Sequence, residues 1–119
     1  MSDEKIISVC FFKSSLGAEP VREWLKKLSK EDKKIIGEDI KLVEISWPVG
    51  YPLVTKIDQN LWEVRTVLHD RICRVFFTVL PGRMILLHGI IKKTQKTPKQ
   101  DLETALKRRD IVIKRRIIQ

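Results

Sequence analysis

Leu61-Trp-Glu-Val-Arg65, Arg71-Ile-Cys-Arg-Val-Phe-Phe77 and His88-Gly-Ile-Ile-Lys-Lys-Thr-Gln-Lys-Thr-Pro98 follow one another closely and read as three consecutive strands carrying cations. A two-residue loop at His69-Asp70 puts Arg65 directly opposite Arg74, on one face with Glu63, Val67, Ile72 and Phe76. The opposite face collects Trp62, Val64, Thr66, Cys73, Val75 and Phe77. It is apolar apart from one β-branched Thr, and so is fit to pack against helices. Like charges paired across strands repel, and guanidinium forks suit phosphate, so an anion is expected between the two arginines; the alternative is that they salt-bridge Glu63 and a helix acid.

A turn at Pro81-Gly82 carries the chain into the third strand. Counting back from a two-residue turn sets Gly89 beside Arg74, Ile91 and Lys93 on the cationic face, and His88 opposite Val75 on the apolar face. There His88 is a hydrogen-bonded core residue. Pro-Gly favours a type II turn, so a slip of one residue is the alternative; it would bring His88 to the cationic face as the best acid-base candidate.

Outward from this stretch, Ile6 to Phe12 is an apolar, partly β-branched run of strand length. Pro20 sits where a first helical residue should, and Val21, Trp24, Leu25 and Leu28 recur at helical spacing. Ser29 with Asp32 resembles a capping box, and Ile35, Ile36, Ile40 and Val43 form a second stripe that Trp47-Pro48 ends. Leu53 to Ile57 reads as a short strand before an Asp58-Gln59-Asn60 turn. Thr97 and Pro98 are the expected N-cap and first residue of a long basic final helix carrying Leu102, Ala105, Leu106, Ile113 and Ile117. The fold class is α+β: an antiparallel sheet of four to five strands with a mixed edge, whose apolar face is covered by helices.

With 119 residues the chain suffices for one domain and one core, and the expectation is a single domain over 1–119. Residues 1 to 91 hold 14 cations against 12 acids and residues 92 to 119 hold 10 against 3, so the excess of the +9 net charge sits in the tail. That clustering suits a nucleic-acid binder or a protein held by an acidic partner, although a solvated lysine-rich helix face reads the same way. No apolar run has membrane-spanning length and no signal-peptide core follows the charged N-terminus, so a cytoplasmic protein is expected, without membrane contact. Cys10 and Cys73 lie in separate strands without Cys-x-x-Cys spacing and read as reduced thiols. No zinc constellation, P-loop or Gly-rich dinucleotide turn is found, so no cofactor is expected.

Pro20 to Leu28 (PVREWLKKL), Leu61 to Arg65 (LWEVR), Arg74 to Phe77 (RVFF) and His88 to Pro98 (HGIIKKTQKTP), in this order of elements, resemble the phage-derived branch of the RelE/HigB-like toxins of type II toxin-antitoxin systems. The likeness spans roughly residues 6 to 109 and leaves 110–119 as a C-terminal extension. It implies the RelE/ParE-type fold and a metal-independent endoribonuclease, an mRNA interferase that enters the ribosome and cuts the message being translated. It implies a cognate antitoxin as partner, in a toxin-antitoxin hetero-oligomer, with the ribosome and mRNA as targets. Position by position, Arg74 falls at the arginine expected on the scissile phosphate, Glu63 and Arg65 at outward positions of the preceding strand, and Lys93 at the basic residue ending the last strand. Cations placed where charge develops are the main chemical need. Arg71, Lys92, Lys96 and Lys99 are expected to contact the RNA backbone. Relatives carry a Tyr, Asp or His after the last strand, where this chain has Thr94, Gln95, Lys96, Thr97 and Lys99, so the proton carrier is open between Glu63, a lysine and His88. Two other functions fit the same residues: a ParE-like gyrase poison, and a non-catalytic nucleic-acid-binding module.

Overall fold

Ile72 to Leu80 is apolar at nearly every position, the pattern of a strand buried on both faces rather than one. In the computed structural model, which describes residues 4–93 and 96–118, this segment is the central strand of a five-stranded sheet with helices on both sides. The elements run β1 (Ser8–Phe11), α1 (Pro20–Lys26), α2 (Lys30–Ser46), β2 (Val54–Asp58), β3 (Leu61–Val67), β4 (Ile72–Leu80), β5 (Arg83–Lys92) and α3 (Lys99–Ile118). The strand order is β1-β5-β4-β3-β2, with every neighbour antiparallel except the edge pair β1-β5, which is parallel. The expected α+β class, mixed edge, helical hairpin and final helix are all present.

Both N-terminal helices form where the spacing places them. Pro20 occupies the first turn of α1, and the Ser29 hydroxyl accepts from the Asp32 N–H at 3.1 Å to cap α2. Their stripes, Val21 and then Ile36, Ile40 and Val43, pack on Val64, Cys73, Val75, Phe77 and Leu86. Trp47, at the end of α2, meets Trp62 and Phe77 edge-on with centroids 5.1 and 5.7 Å apart, a favoured aromatic geometry. Each such side chain contributes about 1.5–3 kcal/mol when fully buried.

The final helix departs from expectation in two ways. It starts at Lys99, with the Pro98 carbonyl accepting from the Asp101 and Leu102 N–H groups, so Pro98 rather than Thr97 stands at the cap. It also covers the other face of the sheet, the one read as cationic. The reason is that this face is apolar along half its length: Leu61, Phe76, Leu80, Ile85 and Leu87 form a second core with Ala105 and Val112. The sheet is the middle of three layers. Cys10 and Cys73 are both free thiols.

Candidate functional site

Pairing between β3 and β4 follows the two-residue loop at His69-Asp70, with Arg65 opposite Arg74, Glu63 opposite Phe76 and Val67 opposite Ile72. Pairing between β4 and β5 does not follow the count from Pro81-Gly82. The turn itself is tight, with Leu80 opposite Arg83 and Gly82 at φ 72°. The register slips further along, where Phe77 faces Leu86 but Phe76 faces His88. Leu87 is the extra residue of a bulge, and it sends Leu87 and His88 together toward α3. Gly89 therefore lies opposite Val75 instead of Arg74, beneath Trp24, where a Cβ would overlap the six-membered ring of the indole. His88, read as a core residue opposite Val75, joins the cationic face. Ile90 takes the place opposite Arg74 expected for Gly89, and Lys92 the place opposite Ile72 expected for Ile91.

The face thus consists of three cross-strand rows: Glu63-Phe76-His88, Arg65-Arg74-Ile90 and Val67-Ile72-Lys92. Glu63 and Arg74 are only 3 % and 8 % exposed and form an ion pair through Arg74 Nη1 and Glu63 Oε1. The anion beside Arg74 is thus the protein's own carboxylate, which relieves the opposition of Arg74 and Arg65. Arg65 is half-buried and Lys92 exposed at the strand end.

His88 carries the face to the final helix. Its Nε2 lies 2.7 Å from Asp101 Oδ1, and its ring stacks over Phe76 at 6.4 Å and 22°. Arg108 Nη1 donates to the Leu87 carbonyl at 2.8 Å and sits 3.5 Å from His88 Nδ1. Arginine can only donate, so these partners select the imidazole tautomer with its proton on Nε2, shared with Asp101, and a lone pair on Nδ1. Burial pushes the Arg108 guanidinium below its usual value. His88 and Arg108 border a cavity of about 110 Å³ between β5, α1 and α3, also lined by Trp24 and Gly89. An oriented imidazole beside a guanidinium has the parts to move a proton and stabilise an adjacent anion.

Other candidates lie apart. Arg71 turns to the opposite side, bonding both Asp32 oxygens at 3.1 and 3.2 Å and Asp70 at 2.9 Å, so it ties the hairpin to α2. Lys93, one step out of phase with Lys92, leaves the cationic face and lies toward Asp70, whose carboxyl is held below the usual range by Arg71 first and by Lys93 as well. Lys96 and Lys99 are exposed, with Lys99 4.0 Å from Glu103. Thr94 and Gln95 lie outside the described residues. Sequence reasoning missed Asp101 and Arg108, although a signal was present: both fall on the buried stripe of α3 with Ala105 and Val112, where charged residues need partners. Among the described residues no three His, Cys, Asp or Glu side chains are grouped to hold a metal ion, and no helix is long and apolar enough to cross a membrane.

Residues 23–110 match the family described as "Phage derived protein Gp49-like (DUF891)", a span that contains every residue of the three rows together with Asp101 and Arg108. The chain belongs to this Gp49-like family. The family is associated with toxins of toxin-antitoxin systems, and a Gp49-like protein of that kind implies a cognate antitoxin partner. No curated protein matches the chain. The family match ends at Asp110, while α3 continues to Ile118.

Proposed function

We propose that this Gp49-like protein is a RelE/HigB-like toxin that acts in the cytoplasm as a ribosome-dependent endoribonuclease, cutting translated mRNA. The observation that carries the reading is the bulge at Leu87, which sets His88, oriented by Asp101, on the same face as Arg65 and Arg74. In the reaction the ribose 2′-OH attacks the neighbouring phosphate, its proton passes to a base, and the 5′-oxygen leaves with a proton. His88 takes the 2′-OH proton on Nδ1 while Asp101 holds the ring, as general bases are commonly oriented by a second group. Arg65 and Arg108 stabilise the charge that develops on the phosphate, and Arg74, held from behind by Glu63, supports Arg65. Lys92, Lys96 and Lys99 bind the message backbone, with the ribosome holding the flexible phosphodiester in line.

The test is primer extension on a message translated in vitro, run beside naked RNA and a gyrase supercoiling assay. Discrete cuts in translated message are expected, with His88→Gln slowing single-turnover cleavage about 10²–10⁴-fold and Asp101→Asn slowing it less. Equal cleavage of naked RNA sinks ribosome dependence. Inhibition of gyrase without cleavage makes the protein a ParE-like poison instead.

A further inference from the structure

Four of the nine arginines of this chain pair with a carboxylate: Arg22 with Glu19, Arg71 with Asp32, Arg74 with Glu63 and Arg109 with Asp58. Arg83, Arg115 and Arg116 do not, and neither does Lys13; among the described residues no acid lies within ion-pair distance of any of them. These four cations line one groove of about 400 Å³, between the end of β1, the start of β5 and the second half of α3. That volume lies within the range of pockets that take a small ligand or an anchoring side chain. The floor is apolar, made by Phe12, Leu80, Ile85 and Val112. From Asp101 to Arg116 the helix rises roughly 22 Å, so the groove is separate from the His88 face.

We propose that this groove is the docking site for an acidic segment of the cognate antitoxin, which sets one apolar side chain on the floor while its carboxylates meet Arg83, Arg115, Arg116 and Lys13. The proposal rests on the toxin reading for the identity of the partner. Charge complementarity gives the sign of that segment, and the apolar floor makes it a peptide. A single-stranded nucleic acid would stack its bases on aromatic faces, but these are taken: Arg108 and Arg115 lie over the Phe12 ring at 5.4 Å each, and Arg22 over Phe11 at 4.6 Å. Most of the groove also lies outside the family-matched residues.

The experiment uses the full chain and the antitoxin co-expressed from its own operon. Arg83→Glu with Arg116→Glu, both exposed and outside the proposed catalytic face, is expected to keep the circular dichroism and the growth arrest of the parent. It is expected to weaken antitoxin binding about 100-fold and to escape neutralisation. Cys10 borders the groove as a partly exposed thiol and Cys73 is buried, so iodoacetamide reports on the groove; bound antitoxin is expected to protect Cys10 in the parent but not in the variant. Unchanged binding by the variant, or equal alkylation with and without antitoxin, overturns the proposal. Protection by poly(U) in place of antitoxin also overturns it, making the groove a nucleic-acid surface. A parent chain that arrests no growth yet binds antitoxin through Arg83 and Arg116 refutes the nuclease reading and leaves the groove standing.

Discussion

Glu63 and Arg74 show how a residue assignment changes once burial is known. From sequence, Arg74 is a cation of the phosphate-facing side of the sheet; in the structure it is buried with its guanidinium on the Glu63 carboxylate. Removing one member of a buried pair leaves the other charge uncompensated, a cost of about 3–5 kcal/mol, whereas replacing both by apolar residues of similar size is close to neutral. Urea denaturation is therefore expected to show large losses for Arg74→Ala and for Glu63→Gln, with much of the loss recovered in the double variant Glu63→Leu/Arg74→Met. If Arg74→Ala unfolds at the urea concentration of the parent, the pair carries no stability and the arginine can be judged on activity alone. The same burial makes Glu63 a poor base for an incoming ribose and a good holder for Arg74, which is why the proposed reaction gives the proton to His88.

At the scale of elements, the parts of the sheet that sequence made legible are those fixed by period and loop length. The β3-β4 register followed because the side-chain period is two and the loop has two residues. The β5 register did not follow, because a bulge has no residue signature of its own within Met84-Ile85-Leu86-Leu87; Gly89, a glycine inside a strand, was its one visible mark. The position of α3 was also readable in principle, since the unbroken apolar run of β4 calls for cover on both faces. What composition could not show is that several tail cations face inward. Arg108 binds the Leu87 carbonyl, Arg115 the Lys13 carbonyl, and Arg109 both the Gln59 carbonyl at 2.7 Å and Asp58 at 3.3 Å. The Asp58 carboxyl is held below its usual value of 3.8, first by the Gln59 N–H and then by Arg109. A carboxyl depressed in the folded state adds stability that is present above 3.8 and is lost as pH falls through the lower folded value. Asp58→Asn is thus expected to lower the thermal midpoint slightly near neutral pH, with the difference from the parent vanishing below 3.8. A difference that persists into stronger acid would mean that the Asp58 charge is not what fastens α3.

Over the whole molecule, the +9 charge divides by use rather than by position in sequence. Arg71, Arg108 and Arg109 hold elements together, Arg83, Arg115 and Arg116 border the second groove, and Lys92, Lys96 and Lys99 stand exposed where β5 hands the chain to α3 beside His88. The contact of Lys99 with Glu103 is 4.0 Å long between exposed groups, a surface pair of small worth that phosphate would displace readily. Only cations that meet phosphate release counterions, so only they set the salt dependence of association. Lys92→Ala, Lys96→Ala and Lys99→Ala are each expected to reduce the slope of log K against log salt for ribosome binding by ~0.7–0.9, additively, while cleavage at saturating ribosome is retained. Arg109→Ala removes the same formal charge from a guanidinium already engaged by Asp58 and Gln59, so it is expected to lower stability and leave the slope unchanged. The measurement is a binding titration over a series of salt concentrations with all four variants. An equal slope change for Arg109 would show that the RNA senses net charge alone, and would remove the argument that the lysines beside His88 form a directed path for the message.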